Sequence, residues 1–165
     1  LNAEVLYDAI NQMTGSQASF SGLPVGTRAV QLPDNSFNSQ SYFLTVFGRP
    51  DSSSSCECER SSDASLAQSL HLLNSKDIQN KLASGSGRAA TMAKDAEEKE
   101  EDKIRKLFML AFSREPSGSE VLLARQHLDR VTKDDKGAEK PVDKKLSYED
   151  IIWALFNTKE FLFNH

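Results

Sequence analysis

Apolar residues in this chain recur at helical spacing over most of its length, and one long punctuated stretch interrupts them. Val5, Leu6, Ala9, Ile10 and Met13 fall three and four apart, which predicts a first helix with Glu4 in its opening turn and Gly15 at its end. Gly15, Gly22, Pro24, Gly26 and Pro33 then break the chain too often for a long element, so residues 15–62 read as an irregular connection. Inside it, Thr27 to Leu32 reads as an isolated extended run without a partner strand. Tyr42, Phe43, Val46 and Phe47 form a short helical stripe that Gly48 and Pro50 stop.

Beyond Arg60 the periodicity is plainly helical. Ser62 caps a helix carrying Leu66, Ala67, Leu70 and Leu73, with Asn74 near its end, and Ser75 caps the next, with Ile78 and Leu82. Residues 87–103 begin Ala-rich and turn acidic, which predicts a solvated helix face or connection. Ile104, Leu107, Phe108, Ala111 and Phe112 make the strongest stripe. Ser117 and Glu120 have capping-box spacing and open a helix expected to bury Val121, Leu122, Ala124, Leu128 and Val131. A polar loop follows from Lys133 to Lys145, and Ser147 opens a last helix with Ile151, Ile152, Leu155 and Phe156. Trp153 falls off that stripe and is expected to pack on the long loop, while the tail from Phe161 is apolar enough to dock. The fold class is all-α: an irregular bundle of about six to seven helices with a long N-terminal loop packed on it. The expected organisation is a single domain over 1–165, with a helix plus loop over 1–62 and the bundle over 63–165.

Composition narrows the function. A length of 165 residues suits one domain, and 20 Lys+Arg against 24 Asp+Glu gives a net charge of -4, which argues against a nucleic-acid partner. No apolar run is long enough for a membrane span. Residues 1–85 hold 16 of the 21 serines, both cysteines and only 13 charged side chains, so the two halves are expected to do different jobs. A start at Leu1 without methionine reads as a piece of a longer protein.

Only Cys56-Glu57-Cys58-Glu59 rises above background as chemistry. In an extended backbone both sulfurs point to one side. They can close a tight Cys56–Cys58 disulfide, give two thiolates to a metal completed by His71 or Glu59, or remain reduced and inert. Two thiolates alone are an incomplete zinc set. Glu57 and Glu59 can act as an acid/base pair, against the blander reading that they pair with Arg49 and Arg60. Arg28, Arg49 and Arg60, with Glu59 and Asn74, read as a structural polar skeleton bridging loop carbonyls. His127 is expected solvated on a polar flank and His165 a docked terminus. No nucleophile elbow, phosphate loop or His-Glu-x-x-His string occurs, and no Cys-x-x-Cys-His for a c-type haem, so no catalytic residue and no cofactor is assigned in this fragment.

Several strings occur together in order: 1–10 (Leu-Asn-Ala-Glu-Val-Leu-Tyr-Asp-Ala-Ile), 26–29 (Gly-Thr-Arg-Ala), 31–33 (Gln-Leu-Pro), 47–50 (Phe-Gly-Arg-Pro), 56–60 (Cys-Glu-Cys-Glu-Arg), Leu66-Ala67-Gln68 with Leu72-Leu73-Asn74, 113–116 (Ser-Arg-Glu-Pro) and 157–165 (from Asn157 to His165). In this order the chain resembles the planctomycete-specific C-terminal domain of unknown function, the PSD family of large cytochrome-associated proteins, over nearly its whole length. The resemblance implies a C-terminal piece of a larger exported, periplasmic protein, with haem held elsewhere in it. It implies no reaction. The expected role is a scaffold or interaction module whose partners are other domains of the same polypeptide or further proteins. The alternative is a thiol redox or metal site at Cys56 and Cys58.

Overall fold

The computed structural model describes residues 2–33, 36–37, 41–49, 68, 72, 74–133 and 137–163. Its helices are α1 (Ala3–Thr14), α2 (Tyr42–Val46), α3 (Lys76–Ala83), α4 (Arg88–Lys94), α5 (Glu100–Phe112), α6 (Gly118–Leu128), α7 (Lys144–Phe156) and α8 (Lys159–Leu162). The fold is an all-α bundle, with one two-stranded hairpin among the described residues. The expected helix over Leu66 to Leu73 lies largely outside those residues, although Gln68, Leu72 and Asn74 are helical.

Helix α1 forms and buries Leu6, Ile10 and Met13 of its predicted stripe, with Ala9 partly buried and Val5 exposed. Gly15 ends it at φ 70°, a left-handed conformation that costs a residue with a Cβ. The end of α1 is also clamped from outside, because Arg88 at the start of α4 donates from Nε to the Met13 carbonyl (2.9 Å) and from Nη2 to the Gln12 carbonyl (2.8 Å). These bonds satisfy carbonyls that the helix itself leaves without partners.

Several sequence expectations are corrected. The run from Thr27 to Leu32 is not extended: Ala29–Gln31 form a 3-10 turn, closed by the Gln31 side chain accepting from the Arg28 amide (3.0 Å). The acidic stretch is not uniformly solvated. Lys103 within it is buried, donating from Nζ to the Met92 carbonyl (2.8 Å) and the Asp95 carbonyl, so it caps the end of α4. The loop from Lys133 to Lys145 contains structure: β1 (Val131–Lys133) pairs antiparallel with β2 (Glu139–Pro141), setting Thr132 opposite Lys140. Val131 is therefore an exposed strand residue and not part of the α6 core face, and Leu122 is exposed too. Finally, α7 begins before Ser147, with the Asp143 carboxylate accepting from the Lys145 amide (3.0 Å), and this earlier start carries Ser147 into the core.

Helix α7 is the centre of the molecule, packing against α1, α3, α4, α5, α6 and α8. Its Tyr148, Ile152 and Phe156 are almost wholly buried, and the apolar Ile152 and Phe156 each contribute about 1.5–3 kcal/mol of burial. Among the described residues, Trp153 is partly buried and lines a hollow with Gln79, Leu82 and Ala83 of α3. The tail docks through Phe161, which is buried against Phe156, while Phe163 is half exposed.

Candidate functional site

Glu4, Asp8 and Asn11 sit four and three residues apart on α1, and all three are buried. That spacing places a polar stripe along one helix face. Carboxylates are buried only where partners meet them, and the long loop supplies those partners. Asp8 Oδ1 accepts from the Ala29 amide (2.7 Å), Oδ2 accepts from the Val30 amide (3.2 Å), and Arg28 Nε approaches Oδ2 at 3.5 Å. Glu4 Oε1 lies 3.2 Å from Arg49 Nε, and Arg49 also reaches the Leu32 carbonyl from Nη2. Asn11 Oδ1 accepts from Ser16 Oγ (3.0 Å), which in turn meets Thr14 Oγ1 at 2.8 Å.

Aromatic packing fixes the other side of α1. Tyr7 lies between Phe20 (6.2 Å between ring centroids) and Phe43 (5.3 Å), and Phe43 stacks on Phe47 at 4.2 Å. Burial pushes the Tyr7 phenol up to about 12; the nearby Asp77 adds to the rise, and hydrogen bonds with Asn11 and Ser41 oppose it.

The strings 1–10, 26–29, 31–33 and 47–50 thus meet in space at α1. Arg49 is half of a buried ion pair, while Arg28 is largely exposed and flanks the Asp8 carboxylate. Asn74 is exposed at a helical position. Cys56, Glu57, Cys58, Glu59, Arg60, His71 and His165 lie outside the described residues. The nearest described residues on either side of the cysteine segment are Arg49 and Gln68. Arg49 donates its amide to the Leu44 carbonyl (2.9 Å), and Gln68 donates from Nε2 to the Val46 carbonyl (3.2 Å). Among the described residues no group of three His, Cys, Asp or Glu side chains is arranged to hold a metal ion. Sequence reasoning missed Glu4 and Asp8 as a site. The available signal was two carboxylates one turn apart on the same helix as a continuous apolar stripe.

A second feature lies at the opposite end of the chain. Helices α6 and α7 border a groove of about 510 Å³, lined by Phe108, Leu123, Ala124, Ile151, Ala154 and Leu155. At its rim His127 Nε2 meets Asp150 Oδ2 (3.1 Å), and Arg130 Nη1 meets His127 Nδ1 (3.4 Å). A guanidinium only donates, so Nδ1 accepts and the Nε2 proton faces Asp150.

A family model described as protein of unknown function (DUF1553), PSD1, matches residues 1–128. The chain belongs to the PSD1 family. No curated protein and no solved structure matches it. The PSD1 match contains the whole α1 stripe and its loop partners, and it closes with α6. It is shorter than the near-complete resemblance drawn from the sequence, so the hairpin, α7, α8 and the string at 157–165 lie beyond the PSD1 span. Even so, α7 beyond that span fills the centre of the bundle.

Proposed function

We propose that this PSD1 chain is a non-catalytic scaffold or interaction module within a larger exported, cytochrome-associated protein. One observation supports this reading most directly. Three charged side chains of the strings at 1–10 and 47–50 are turned inward, with Glu4 against Arg49 and Asp8 against the Ala29 and Val30 amides. Groups held that way fix the path of a loop and are removed from substrate. Haem belongs to other modules of the parent protein in this reading, and the chain resides in the periplasm with it.

A thiol redox or metal site at Cys56 and Cys58, with His71 as a further ligand, is the second reading. It rests on the Cys56-Glu57-Cys58 string, in which an extended backbone would turn both sulfurs to one side. A Cys56→Ser/Cys58→Ser variant separates the two. The scaffold reading expects unchanged folding and unchanged calorimetric binding to the remaining domains of the parent polypeptide. Stoichiometric metal in the purified wild type, or a thiol-dependent electron-transfer activity that the variant lacks, overturns it.

A further inference from the structure

The chain's single tryptophan, Trp153, falls off the apolar stripe of α7 and stays only partly buried. Glu149 and Asp150 stand four and three positions before it, which puts the three side chains on one side of the helix. Gln79, Leu82 and Ala83 face them from α3, and the six residues line a hollow of about 450 Å³. That size falls within the ~300–1,000 Å³ usual for small-molecule sites. Each carboxylate there already has a cation beside it. Lys145 Nζ lies 2.9 Å from Glu149 Oε1 and also donates to the Ala83 carbonyl (2.8 Å), fixing Glu149 between the two helices. Asp150 Oδ2 meets Arg130 Nη2 and His127 Nε2. Asp150 Oδ1, the Gln79 amide and the Trp153 indole N–H have no partner among the described residues. The hollow is thus balanced in charge, yet it keeps three open polar groups around an aromatic ring.

We propose that this hollow binds a neutral pyranose ring, with the C–H face of the sugar against the Trp153 indole and its hydroxyls on Gln79 and Asp150. The charge balance selects a neutral ligand. A cation would meet carboxylates that Lys145 and Arg130 already neutralise, and an anion would meet the carboxylates themselves. A hydroxyl escapes both penalties, because it donates to an ionised carboxylate in a charge-assisted bond and leaves the ion pair in place. A pyranose has an apolar ring face and a rim of hydroxyls that both donate and accept. An indole bordered by a carboxylate acceptor and an amide with both capacities is complementary to that shape and chemistry. Leu82 and Ala83 supply the apolar wall such sites also have. All of these groups stand on two helices packed directly on one another, so little ordering is needed when a ligand arrives.

The inference does not depend on the scaffold reading, since a catalytic or a non-catalytic chain can bind a saccharide. Trp153 is the only indole in the 165-residue chain, so its fluorescence reports binding directly. Titration with cellobiose, maltose, lactose and chitobiose is expected to give a saturable emission change with at least one of them, at a Kd in the millimolar range or tighter. Gln79→Ala, at an exposed position, keeps the fluorophore and is expected to weaken that binding about threefold or more. Trp153→Leu, followed by calorimetry, is expected to abolish it, with circular dichroism reporting the folding of both variants. The absence of a saturable change with any of the four disaccharides, up to tens of millimolar, overturns the inference. Binding that survives either substitution unaltered in a folded variant overturns it equally. Tighter binding of tetramethylammonium or of adenosine than of every disaccharide assigns the hollow to a cation or a nucleoside, and the pyranose assignment falls.

Discussion

The Nε atom of Arg49 stands 3.2 Å from Glu4 Oε1, with both side chains more than nine-tenths buried. Two charges removed from water stabilise a fold little in net terms, but leaving one alone there is expensive. Arg49→Met is therefore expected to lower stability by up to about 3–5 kcal/mol, because the buried Glu4 carboxylate loses its guanidinium partner. Replacing both, with Glu4→Leu added, is expected to recover much of that loss. Urea unfolding of the single and double variants forms the cycle that checks this. A single-variant loss under about 1 kcal/mol would mean the pair is hydrated and carries no such penalty.

Arg114 joins the start of α6 to α8. It donates to Glu120 from Nη1 (3.0 Å) and Nη2 (2.9 Å), and to Glu160 from Nε (2.7 Å) and Nη2 (2.8 Å). The Arg114 hydrogen bonds, helped by the Ser117 amide, hold the Glu120 carboxyl down to about 2, and Arg114 lowers Glu160 as well. A carboxyl depressed in the folded state stabilises above its unfolded value of 4.5 and loses that contribution as pH falls towards 2. The wild type is thus expected to weaken steadily on acidification through this window. Arg114→Gln is expected to flatten that slope, while the Ser117 cap on the Glu120 amide remains. Thermal melts across the window decide it, and parallel curves for the two proteins would refute the assignment.

What could be read in the sequence was whatever depends on local periodicity and capping. The α1 stripe, the α5 stripe, the Ser75 cap and the Ser117–Glu120 box all form as their spacing predicts. What could not be read depends on partners distant in the chain. Lys103 looks like one more charge in a polar run until the α4 carbonyls are placed beside it. Leu122 fits a core stripe by spacing, but α5 and α7 cover only the Ala124–Leu128 side of α6. The same holds at the candidate site. Arg28 and Arg49 stand out in a charge-poor stretch, whereas Glu4 and Asp8 gain their meaning only when the loop returns to them.

Gly15 offers a local test of how the two halves are joined. Its φ of 70° disfavours a side chain, and a Cβ there would lie 3.0 Å from the Arg88 backbone nitrogen. Gly15→Ala is expected to cost more than about 1 kcal/mol, through the left-handed backbone and the displaced α4 together. It is also expected to loosen the Arg88 bonds to the Met13 and Gln12 carbonyls. Amide exchange at the end of α1 reports that loosening separately from global stability. Unchanged exchange with unchanged stability would show that α4 accommodates the methyl group.

Tyr148 differs from Tyr7 in lacking compensation for its burial. Its Oη is buried without a hydrogen-bond partner among the described residues, and burial, with Glu100, Glu98 and Asp95 nearby, pushes the phenol up to about 12. An unsatisfied buried hydroxyl opposes folding, so Tyr148→Phe is expected to hold or raise neutral-pH stability, by up to about 1 kcal/mol. The alkaline limb has a definite sign. A phenol raised from 10.0 in the unfolded chain to about 12 in the fold binds its proton more tightly when folded, so stability is full below pH 10 and falls as pH climbs towards 12. Each tyrosine so raised contributes at most about 1.4 kcal/mol per pH unit to that fall. Removing the Tyr148 phenol is therefore expected to make the alkaline decline shallower and leave Tyr7 as the late-titrating phenol. Phenolate absorbance followed alongside unfolding separates the two effects. A Tyr148→Phe variant that is strongly destabilised at neutral pH would show instead that the hydroxyl is bound.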